Sequence, residues 1–323
     1  MYVFSRIKVI EGNMKYLPIL IVIFSLWSNQ LYAECNQQKE FTLMIHGGSG
    51  SGDKHKETQE KMLKVIQKAL AEGHDLLKNG AKGEDVVVKV ISILEDSPLF
   101  NAGRGGNKNK AGFIELDASI MRGDDKNCGA VAAVKRVKNP IKAAQKVMNA
   151  SKHVMFAGDA ADAFAEKQGL ETVPNSYFYS SKATPSAKDI GTVGAVVRDR
   201  CGTWSAGTST GGFGTKAPGR IGDSPIIGAG TYAENNICAV SCTGHGEFFI
   251  RYAAAHSICS LIKYKAMDGK AAASKILSEE LLPAGGKGGI IVIDKIGKGH
   301  FHFTTKGMSW GRVTEDGKPE VGI

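Results

Sequence analysis

The stretch Asp189–Val196, with the sequence DIGTVGAV, decides how this chain is interpreted. Gly191 and Thr192 open a run of small and β-branched residues that is typical of a buried strand. Before it, residues 175–189 hold four serines and a proline without clear periodicity, which predicts an exposed linker. If the bond between Gly191 and Thr192 is cut, the freed α-amino group of Thr192 can act as the base for its own hydroxyl. A Gly-Thr pair alone more often just begins a strand.

Further short motifs lie on both sides of this segment. They are His46-Gly47-Gly48, Leu99–Gly103 (LFNAG), Thr208–Gly212 (TSTGG), Pro218–Pro225 (PGRIGDSP), Gly228–Gly230 (GAG) and Ser241–Glu247 (SCTGHGE). Each motif is weak alone, but together, in this order, they resemble the isoaspartyl peptidase/plant-type L-asparaginase family of N-terminal nucleophile hydrolases. The resemblance runs from about Phe41 to near the C-terminus. It implies an α/β fold of the four-layer αββα sandwich type, whereas the alternation of helices and strands alone indicates only layered α/β packing.

The resemblance also implies that the chain cuts itself between Gly191 and Thr192. The products would be an α subunit of residues 34–191 and a β subunit of residues 192–323, which stay together as one structural domain, 34–323. The family further implies a dimer of two such cleaved αβ protomers.

Thr192 is therefore expected to be the nucleophile, with its own α-amino group as base. Thr208 and Thr210 both end a strand that pairs back toward Thr192, so either hydroxyl can hydrogen-bond the nucleophile. The resemblance selects Thr210. The preference of threonine for strands explains both residues without any catalytic role.

Arg220 and Asp223 stand three residues apart in a loop bounded by glycine and proline. A guanidinium can hold an α-carboxylate through two parallel hydrogen bonds, and a carboxylate can accept from an α-ammonium. This pair is predicted to bind the zwitterionic end of an aspartyl substrate, with the backbone of Gly246 adding a contact to the ammonium. A surface ion pair is the alternative.

Thr243 and Gly244 end an apolar strand, and their donors are expected to face the developing oxyanion. His245 interrupts this motif and is expected to line the site or to lie at the surface, because a nucleophile with its own base needs no catalytic histidine. By resemblance, Asn101 orients the nucleophile region, and backbone oxygens of the loop Leu94 to Asn101 bind a structural sodium ion. We expect no catalytic metal and no other cofactor.

The N-terminus has the pattern of a secretory signal, residues 1–33, with Met14 as a possible true start. Met14-Lys15 gives a short positive start, an apolar run of 12 residues (16–27) follows, and Ala33 ends a polar segment at a plausible cleavage point. The run is short for a membrane span, which needs about 20 residues. An uncleaved anchor is the alternative. We therefore expect an exported protein, periplasmic or secreted, that is free of the membrane after processing.

Composition limits the other classes of function. The 323 residues are 42% hydrophobic, enough for one sizeable core or at most two small ones. Residues 1–33 hold three basic and one acidic residue, so their removal lowers the net charge from +9 to about +7. No cluster of basic and aromatic residues predicts nucleic-acid binding. The glycine-rich run Gly47–Lys54 resembles a phosphate loop, but Asp53 precedes the lysine and would repel phosphate.

Six cysteines remain after residue 33: Cys35, Cys128, Cys201, Cys238, Cys242 and Cys259. In an exported protein some of them can pair. Cys238 and Cys242 lie in an apolar strand, where free buried thiols are just as plausible.

Periodicity predicts most of the secondary structure. Helices are expected over 61–78, 85–95, 140–149, 157–168, 246–262 and 271–282, and strands over 41–45, 129–137, 193–197, 203–208, 237–240, 290–294 and 300–304.

The leading hypothesis is an exported threonine amidohydrolase that hydrolyses β-aspartyl (isoaspartyl) dipeptides and L-asparagine through an aspartyl ester on Thr192. A glycosylasparaginase on the same fold is the first alternative. An uncleaved relative that binds amino acids through Arg220 and Asp223 without turnover is the second. A protease acting on larger partners is the third, and no extended recognition surface supports it.

Overall fold

The segment after Thr192 lies in the middle of a large β-sheet. The computed structural model describes residues 40–50, 56–179 and 191–323, so the predicted signal segment and most of the predicted linker lie outside the described residues. Within the described part of the chain, Val193–Arg198 is strand β5 and pairs antiparallel with strand β1 on one side and strand β6 on the other.

The large sheet has eight strands in the order β12-β11-β1-β5-β6-β2-β3-β4. Their bounds are β1 Thr42–Gly50, β2 Leu116–Arg122, β3 Cys128–Val134, β4 Met155–Ala157, β5 Val193–Arg198, β6 Trp204–Thr210, β11 Gly307–Thr314 and β12 Glu320–Gly322. Strands β5 and β6, both predicted from the sequence, pair with each other as an antiparallel hairpin. Because β5 pairs directly with β1 and β6, both the His-Gly-Gly motif and the Thr-Ser-Thr motif are brought to Thr192.

The second sheet has four strands in the order β10-β9-β8-β7. They are β7 Thr231–Glu234, β8 Cys238–Gly244, β9 Gly288–Ile293 and β10 Gly299–Phe303. Strand β8 contacts β5 and β6 of the large sheet, and β9 contacts β1. Successive side chains of a strand point to opposite faces of the sheet, so the strands of the large sheet contribute side chains to two hydrophobic cores, one on each face. Leu43 and Ile45 belong to one core, whereas Met44 and Val196 belong to the core shared with the second sheet.

Helices pack against both sheets. They are α1 Lys56–Lys78, α2 Gly83–Glu95, α3 Pro140–Ala150, α4 Gly158–Lys167, α5 Gly246–Arg251, α6 Ala254–Lys265 and α7 Gly269–Ser274, and a π-helical segment, Lys275–Leu281, continues α7. Helix α1 contacts β1 and β11, α2 contacts β5 and β6, and α3 contacts β2 and β3. Helices α6 and α7 contact strands of the small sheet. The α/β class predicted from the sequence is confirmed.

The predicted helix 246–262 is wrong in one respect, because it breaks at Ala253. This residue has a left-handed backbone with φ +44°. The amides of Ala255 and His256 donate to the carbonyls of Ala229 and Gly228. These tertiary hydrogen bonds replace the bonds that would carry one helix through, and an apolar periodicity does not reveal them.

Other predicted elements shift by a few residues, and some were missed. Helix α1 begins at residue 56 instead of 61, β3 ends at 134 instead of 137, β8 continues to 244, and residues 175–178 of the predicted linker form a 3-10 helix. Strands β2, β4, β7, β11 and β12 were not predicted. Strand β2 carries Asp117 and Arg122, and β11 carries Arg312, so their polar residues hide the strand signal.

One disulfide joins strand β8 to helix α6, between Cys238 and Cys259. Cys242, on the same strand, is a free buried thiol, as is typical of an apolar strand. Among the described residues, no helix is both long and apolar enough to cross a membrane.

Candidate active site

The backbone around Thr192 is tightly enclosed by strand β1. Thr192 is 5% exposed. Gly48 has a φ of +102°, and a Cβ at this position would lie 2.7 Å from the Cα of Gly191 and 2.9 Å from the nitrogen of Thr192. Only glycine fits this conformation and this separation. The close approach of the His-Gly-Gly motif to the proposed cleavage point is therefore present in the structure.

The hydroxyl of Thr192 donates to the hydroxyl of Thr210 at 3.0 Å. The Thr210 hydroxyl also accepts from the amide of Gly212 at 3.0 Å and donates to the carbonyl oxygen of Gly191 at 3.3 Å. A hydroxyl has one proton to donate and two lone pairs. Because both lone pairs of Thr210 are occupied, its proton is directed to Gly191. Of the two threonines that the sequence offers, Thr210 contacts the nucleophile, whereas Thr208 bonds with Ser241.

Asn101 also donates to the carbonyl of Gly191. Its side-chain Nδ2 donates to the Gly191 oxygen at 2.6 Å and also to the carbonyl of Gly212. Its Oδ1 accepts from the amide of Asn107 at 3.0 Å, and Asn107 donates to Gly212 at 3.2 Å. The carbonyl oxygen of Gly191, at the bond predicted to be cut, thus accepts from two groups, the Thr210 hydroxyl and the Asn101 side chain, and the latter is fixed by its other hydrogen bonds.

A small cavity adjoins Thr192. Its volume of about 10 Å³ gives room for roughly one water molecule. Its lining includes the predicted site residues Gly191, Thr192, Thr210, Arg220, Asp223 and Gly244, together with Gly212, Phe213, Gly222 and Ser224. The structure therefore brings the predicted nucleophile and the predicted substrate-binding pair to one place.

The guanidinium group of Arg220 is held along one edge by Glu247 and on one face by Phe213. Its Nε and Nη2 each donate to a carboxylate oxygen of Glu247 at 2.9 Å, and the ring of Phe213 lies 4.3 Å from its Cζ. A guanidinium has five donors. The bond with Glu247 uses the Nε edge, so the edge formed by Nη1 and Nη2 keeps donors for a second carboxylate. Gly222 makes room here, because a Cβ there would lie 2.7 Å from Nη1.

Asp223 is buried beside this guanidinium. It is 4% exposed, and its Oδ2 has no hydrogen-bond partner among the described residues. Burial raises the pKa of Asp223 to about 7, and the opposing charge of Arg220 limits the rise. A Cβ on Gly246 would lie 2.8 Å from Oδ1 of Asp223, so Gly246 packs directly against the carboxylate. An unpaired buried carboxylate is ready to accept from a substrate ammonium.

Thr243 is less closely associated with Thr192. Its hydroxyl accepts from the amide of Ser49 at 3.2 Å, and its carbonyl accepts from the Ser49 hydroxyl at 3.3 Å. It is absent from the lining of the cavity, whereas its neighbour Gly244 belongs to it. The oxyanion role of Thr243 and Gly244 stays a prediction. His245 precedes helix α5 and is half-buried.

Sequence reasoning missed Glu247, Phe213 and Asn107. Glu247 is the last residue of the SCTGHGE motif, and its charge opposite to that of Arg220 was a signal that could have identified it. Phe213 and Asn107 carry no such signal, because only the folded loops bring Phe213 to Arg220 and Asn107 to Asn101.

The loop predicted to bind sodium has converging backbone oxygens. A Cβ on Gly105 would lie 2.0 Å from the carbonyl oxygen of Phe100 and 3.0 Å from that of Pro98. Oxygen atoms are the ligands that hard cations prefer. The donor set and the glycine cradle therefore fit such an ion. Among the described residues, no group of three or more His, Cys, Asp or Glu side chains is arranged to hold a metal.

Comparison with known proteins agrees with the motifs. The sequence profile of the family described as Asparaginase matches residues 39–188 and 180–323. The chain is 40% identical to an isoaspartyl peptidase of Salmonella typhimurium over 308 residues, covering 87% of this chain and 97% of the relative. It is 39% identical to an isoaspartyl peptidase of Escherichia coli, with 87% and 95% covered. It is 36% identical to an isoaspartyl peptidase/L-asparaginase of Bos taurus, again with 87% and 95% covered. The match over nearly all of the described residues confirms the resemblance, and the chain belongs to the asparaginase family.

Proposed function

We propose that this chain is a self-cleaving threonine amidohydrolase that hydrolyses β-aspartyl (isoaspartyl) dipeptides and L-asparagine. The observation that carries the proposal is the hydrogen bonding at Gly191 and Thr192. A nucleophilic hydroxyl and the carbonyl of the preceding residue share Thr210, and Asn101 donates to that carbonyl. The names of the relatives, isoaspartyl peptidase and isoaspartyl peptidase/L-asparaginase, support the choice of substrates.

In the proposed self-cleavage, Oγ1 of Thr192 attacks the carbonyl carbon of Gly191. The carbonyl oxygen becomes an oxyanion, which Asn101 and Thr210 stabilise. The bond from this carbon to the nitrogen of Thr192 then breaks, the nitrogen takes up the proton that the Thr192 hydroxyl gave up, and Gly191 is left as an ester on Thr192. Water hydrolyses the ester and leaves a carboxylate on Gly191 and a free amine on Thr192.

In turnover, the same hydroxyl attacks the side-chain carbonyl of the substrate. The freed α-amino group has an ordinary pKa of about 7.7–8.0, so part of it is neutral near pH 7.5 and can accept the hydroxyl proton. It returns this proton to the departing amine, which is ammonia from asparagine or an amino acid from the dipeptide. Water then hydrolyses the aspartyl ester. Backbone and hydroxyl donors at Thr243 and Gly244 are proposed to stabilise the oxyanion.

Substrate selection follows from charge. The free Nη1 and Nη2 edge of Arg220 suits the α-carboxylate of an aspartyl group, and Asp223 suits its α-ammonium, with Gly246 adjoining. A substrate lacking the α-ammonium would leave the buried carboxylate of Asp223 without a partner, which is costly. A substrate lacking the α-carboxylate would leave the free edge of Arg220 unused. This pair therefore favours a free aspartyl α-carbon over an internal residue of a protein.

The wider organisation is proposed from the family. We infer a four-layer αββα order for the helices and sheets, an α subunit of residues 34–191, a β subunit of residues 192–323, and a dimer of cleaved protomers. We further propose export directed by residues 1–33. A structural sodium ion would be held by backbone oxygens of the loop Leu94 to Asn101, where it would stiffen the segment that carries Asn101 and supply no step of the reaction.

The test is the intact mass of the mature protein after incubation at neutral pH, compared with Thr192→Ala and Thr192→Ser. We expect two fragments in the wild type, the smaller beginning at Thr192, slower cutting in Thr192→Ser, and one uncut chain in Thr192→Ala. A wild-type chain that stays uncut would favour the amino-acid-binding relative. Release of aspartate from a β-aspartyl dipeptide, compared with turnover of a glycosylated asparagine, distinguishes the proposed enzyme from a glycosylasparaginase.

A further inference from the structure

Four buried hydroxyls and one histidine form a continuous polar chain between the two sheets. We call it the hydroxyl chain, and its members are, in order, Ser119 on β2, Thr231 on β7, Thr208 on β6, Ser241 on β8 and His46 on β1. The distances between successive polar atoms are 2.8, 2.6, 2.7 and 3.0 Å, and the last one is measured to Nε2 of His46. All five side chains are 0% exposed. Buried polar groups at this density are costly unless they are satisfied, so the arrangement is specific and not incidental.

Both ends of the hydroxyl chain reach the candidate active site. At one end, the hydroxyl of Ser119 donates at 2.6 Å to the carbonyl of Ser224, the residue after Asp223. At the other end, His46 lies against the strand that follows Thr192, and the backbone of Thr192 raises the pKa of the ring. Burial is the larger effect and lowers the pKa of His46 to about 3, so the ring is neutral.

The strand that carries the nucleophile leaves space for this contact. Gly194 lies opposite His46 in the pairing of β1 with β5. A Cβ on Gly194 would lie 2.4 Å from Nε2 of His46 and 2.0 Å from the hydroxyl oxygen of Ser241. Any side chain at Gly194, two residues after Thr192, would therefore displace the junction of the hydroxyl chain with His46.

Backbone carbonyls anchor the hydroxyl chain. The hydroxyl of Thr208 donates to the carbonyl of Gly230 at 3.1 Å, as that of Ser119 does to the carbonyl of Ser224. Because a hydroxyl has one proton, Thr208 accepts from Ser241 at 2.7 Å. The Ser241 oxygen lies 3.0 Å from Nε2 of His46, so the ring is held at that atom, and its Nδ1 has no hydrogen-bond partner among the described residues.

We propose that the hydroxyl chain is a positioning network for Thr192, in which Ser241 fixes the ring of His46 against strand β5 and so sets the Thr192 backbone for attack. This inference rests on the proposed role of Thr192 as nucleophile. None of the four hydroxyls lines the cavity. They act through the Thr192 backbone, so their loss should affect the rates of self-cleavage and turnover more than the binding of substrate.

Thr208→Val tests the proposal, because it removes the central hydroxyl and keeps the shape of the side chain. We expect self-cleavage and kcat to fall on the order of 10- to 100-fold, the size of effect that a small misplacement of reacting groups produces, with KM changed only a few-fold. Thr208→Ser should recover most of both rates. Thr42→Val is the matched control: Thr42 is a buried threonine on β1 whose hydroxyl donates to the carbonyl of Gly297 at 2.7 Å, away from the cavity.

If Thr208→Val cleaves and turns over as fast as Thr42→Val at equal loss of thermal stability, the hydroxyl chain only packs the sheets together and the inference is overturned. If Thr208→Val does not fold, Ser241→Ala gives the same comparison at the contact with His46. Thr192→Ala marks the uncut baseline. A wild type that stays at this baseline overturns the nucleophile assignment and the inference with it, whereas a wild type that cleaves no faster than Thr208→Val overturns the inference alone.

Discussion

Asn101→Ala should slow self-cleavage by roughly 10²–10³. The Gly191 oxygen accepts from Nδ2 of Asn101 at 2.6 Å and from the hydroxyl of Thr210 at 3.3 Å. As Thr192 attacks, this oxygen becomes an oxyanion, and donors already in place stabilise it without reorganisation. Loss of one such donor costs about 2.7–4 kcal/mol. Because Asn101 is the closer donor, its removal should reach this range.

Asn107→Ala is the control. Asn107 donates to the carbonyl of Gly212 at 3.2 Å, a carbonyl that Asn101 also contacts, and its amide donates to Asn101. Its side chain forms no hydrogen bond with Gly191 among the described residues. Asn107→Ala therefore perturbs the same loop while leaving both donors to the oxyanion, and we expect its cleavage rate to change only a few-fold.

The assay follows the uncut chain by intact mass or denaturing gel after rapid purification in the cold, with thermal melts to establish that each variant is folded. A folded Asn101→Ala protein that cleaves within a few-fold of the wild type would refute the oxyanion role. Equal slowing in Asn107→Ala would show that loop geometry, and not the donated hydrogen bond, controls the rate.

Three further predictions concern binding, pH and stability. Glu247→Gln should raise KM about five-fold with kcat unchanged, because loss of the half-exposed ion pair between Glu247 and Arg220 costs about 1 kcal/mol. Steady-state kinetics with a β-aspartyl dipeptide measure both constants. KM should increase as the pH falls through about 7, because protonated Asp223 no longer attracts an ammonium; an Asp223→Asn protein whose KM keeps this pH dependence would contradict the assignment. Loss of the Cys238–Cys259 disulfide, which spans 21 residues, should lower the free energy of unfolding by about 3 kcal/mol, measured by urea unfolding of a Cys238→Ala/Cys259→Ala protein against the wild type without reductant.

Strong apolar periodicity made much of the fold predictable from the sequence. Helix α2 and the β5–β6 hairpin were found within a few residues of their observed bounds. Strand β2 was not, because it carries Asp117 at the register position opposite Thr210, and a buried carboxylate does not resemble a strand residue. Burial raises the pKa of Asp117, and its Oδ1 accepts from the amide of Ala133 at 2.7 Å. Such tertiary compensation cannot be seen in a single segment of sequence.

The site was predictable where one residue carries the chemistry. A threonine after glycine, and an Arg and an Asp three residues apart, are visible as residue types. The groups that orient them are not. Glu247 and Phe213 set the direction in which the guanidinium of Arg220 points. Glu247 is 27 residues and Phe213 is 7 residues from Arg220 in the chain, so only the folded loops bring them together. Sequence order identifies which charges are present, whereas only the fold decides which edge of a guanidinium remains available.

Thr210 connects the two reactions proposed for this chain. In the uncut protein its lone pairs accept from Gly212 and Thr192, and its one proton goes to the Gly191 carbonyl. A neutral hydroxyl is too weak a base to hold the Thr192 proton near neutral pH, so Thr210 orients the nucleophile through this bond and is not its base. When Gly191 leaves after cleavage, that proton loses its acceptor while the lone pairs keep their donors. The carbonyl oxygen of a substrate ester would restore the bond, so we expect Thr210→Val to impair turnover as well as self-cleavage, whereas a threonine needed only for maturation would leave turnover by the cleaved fraction intact.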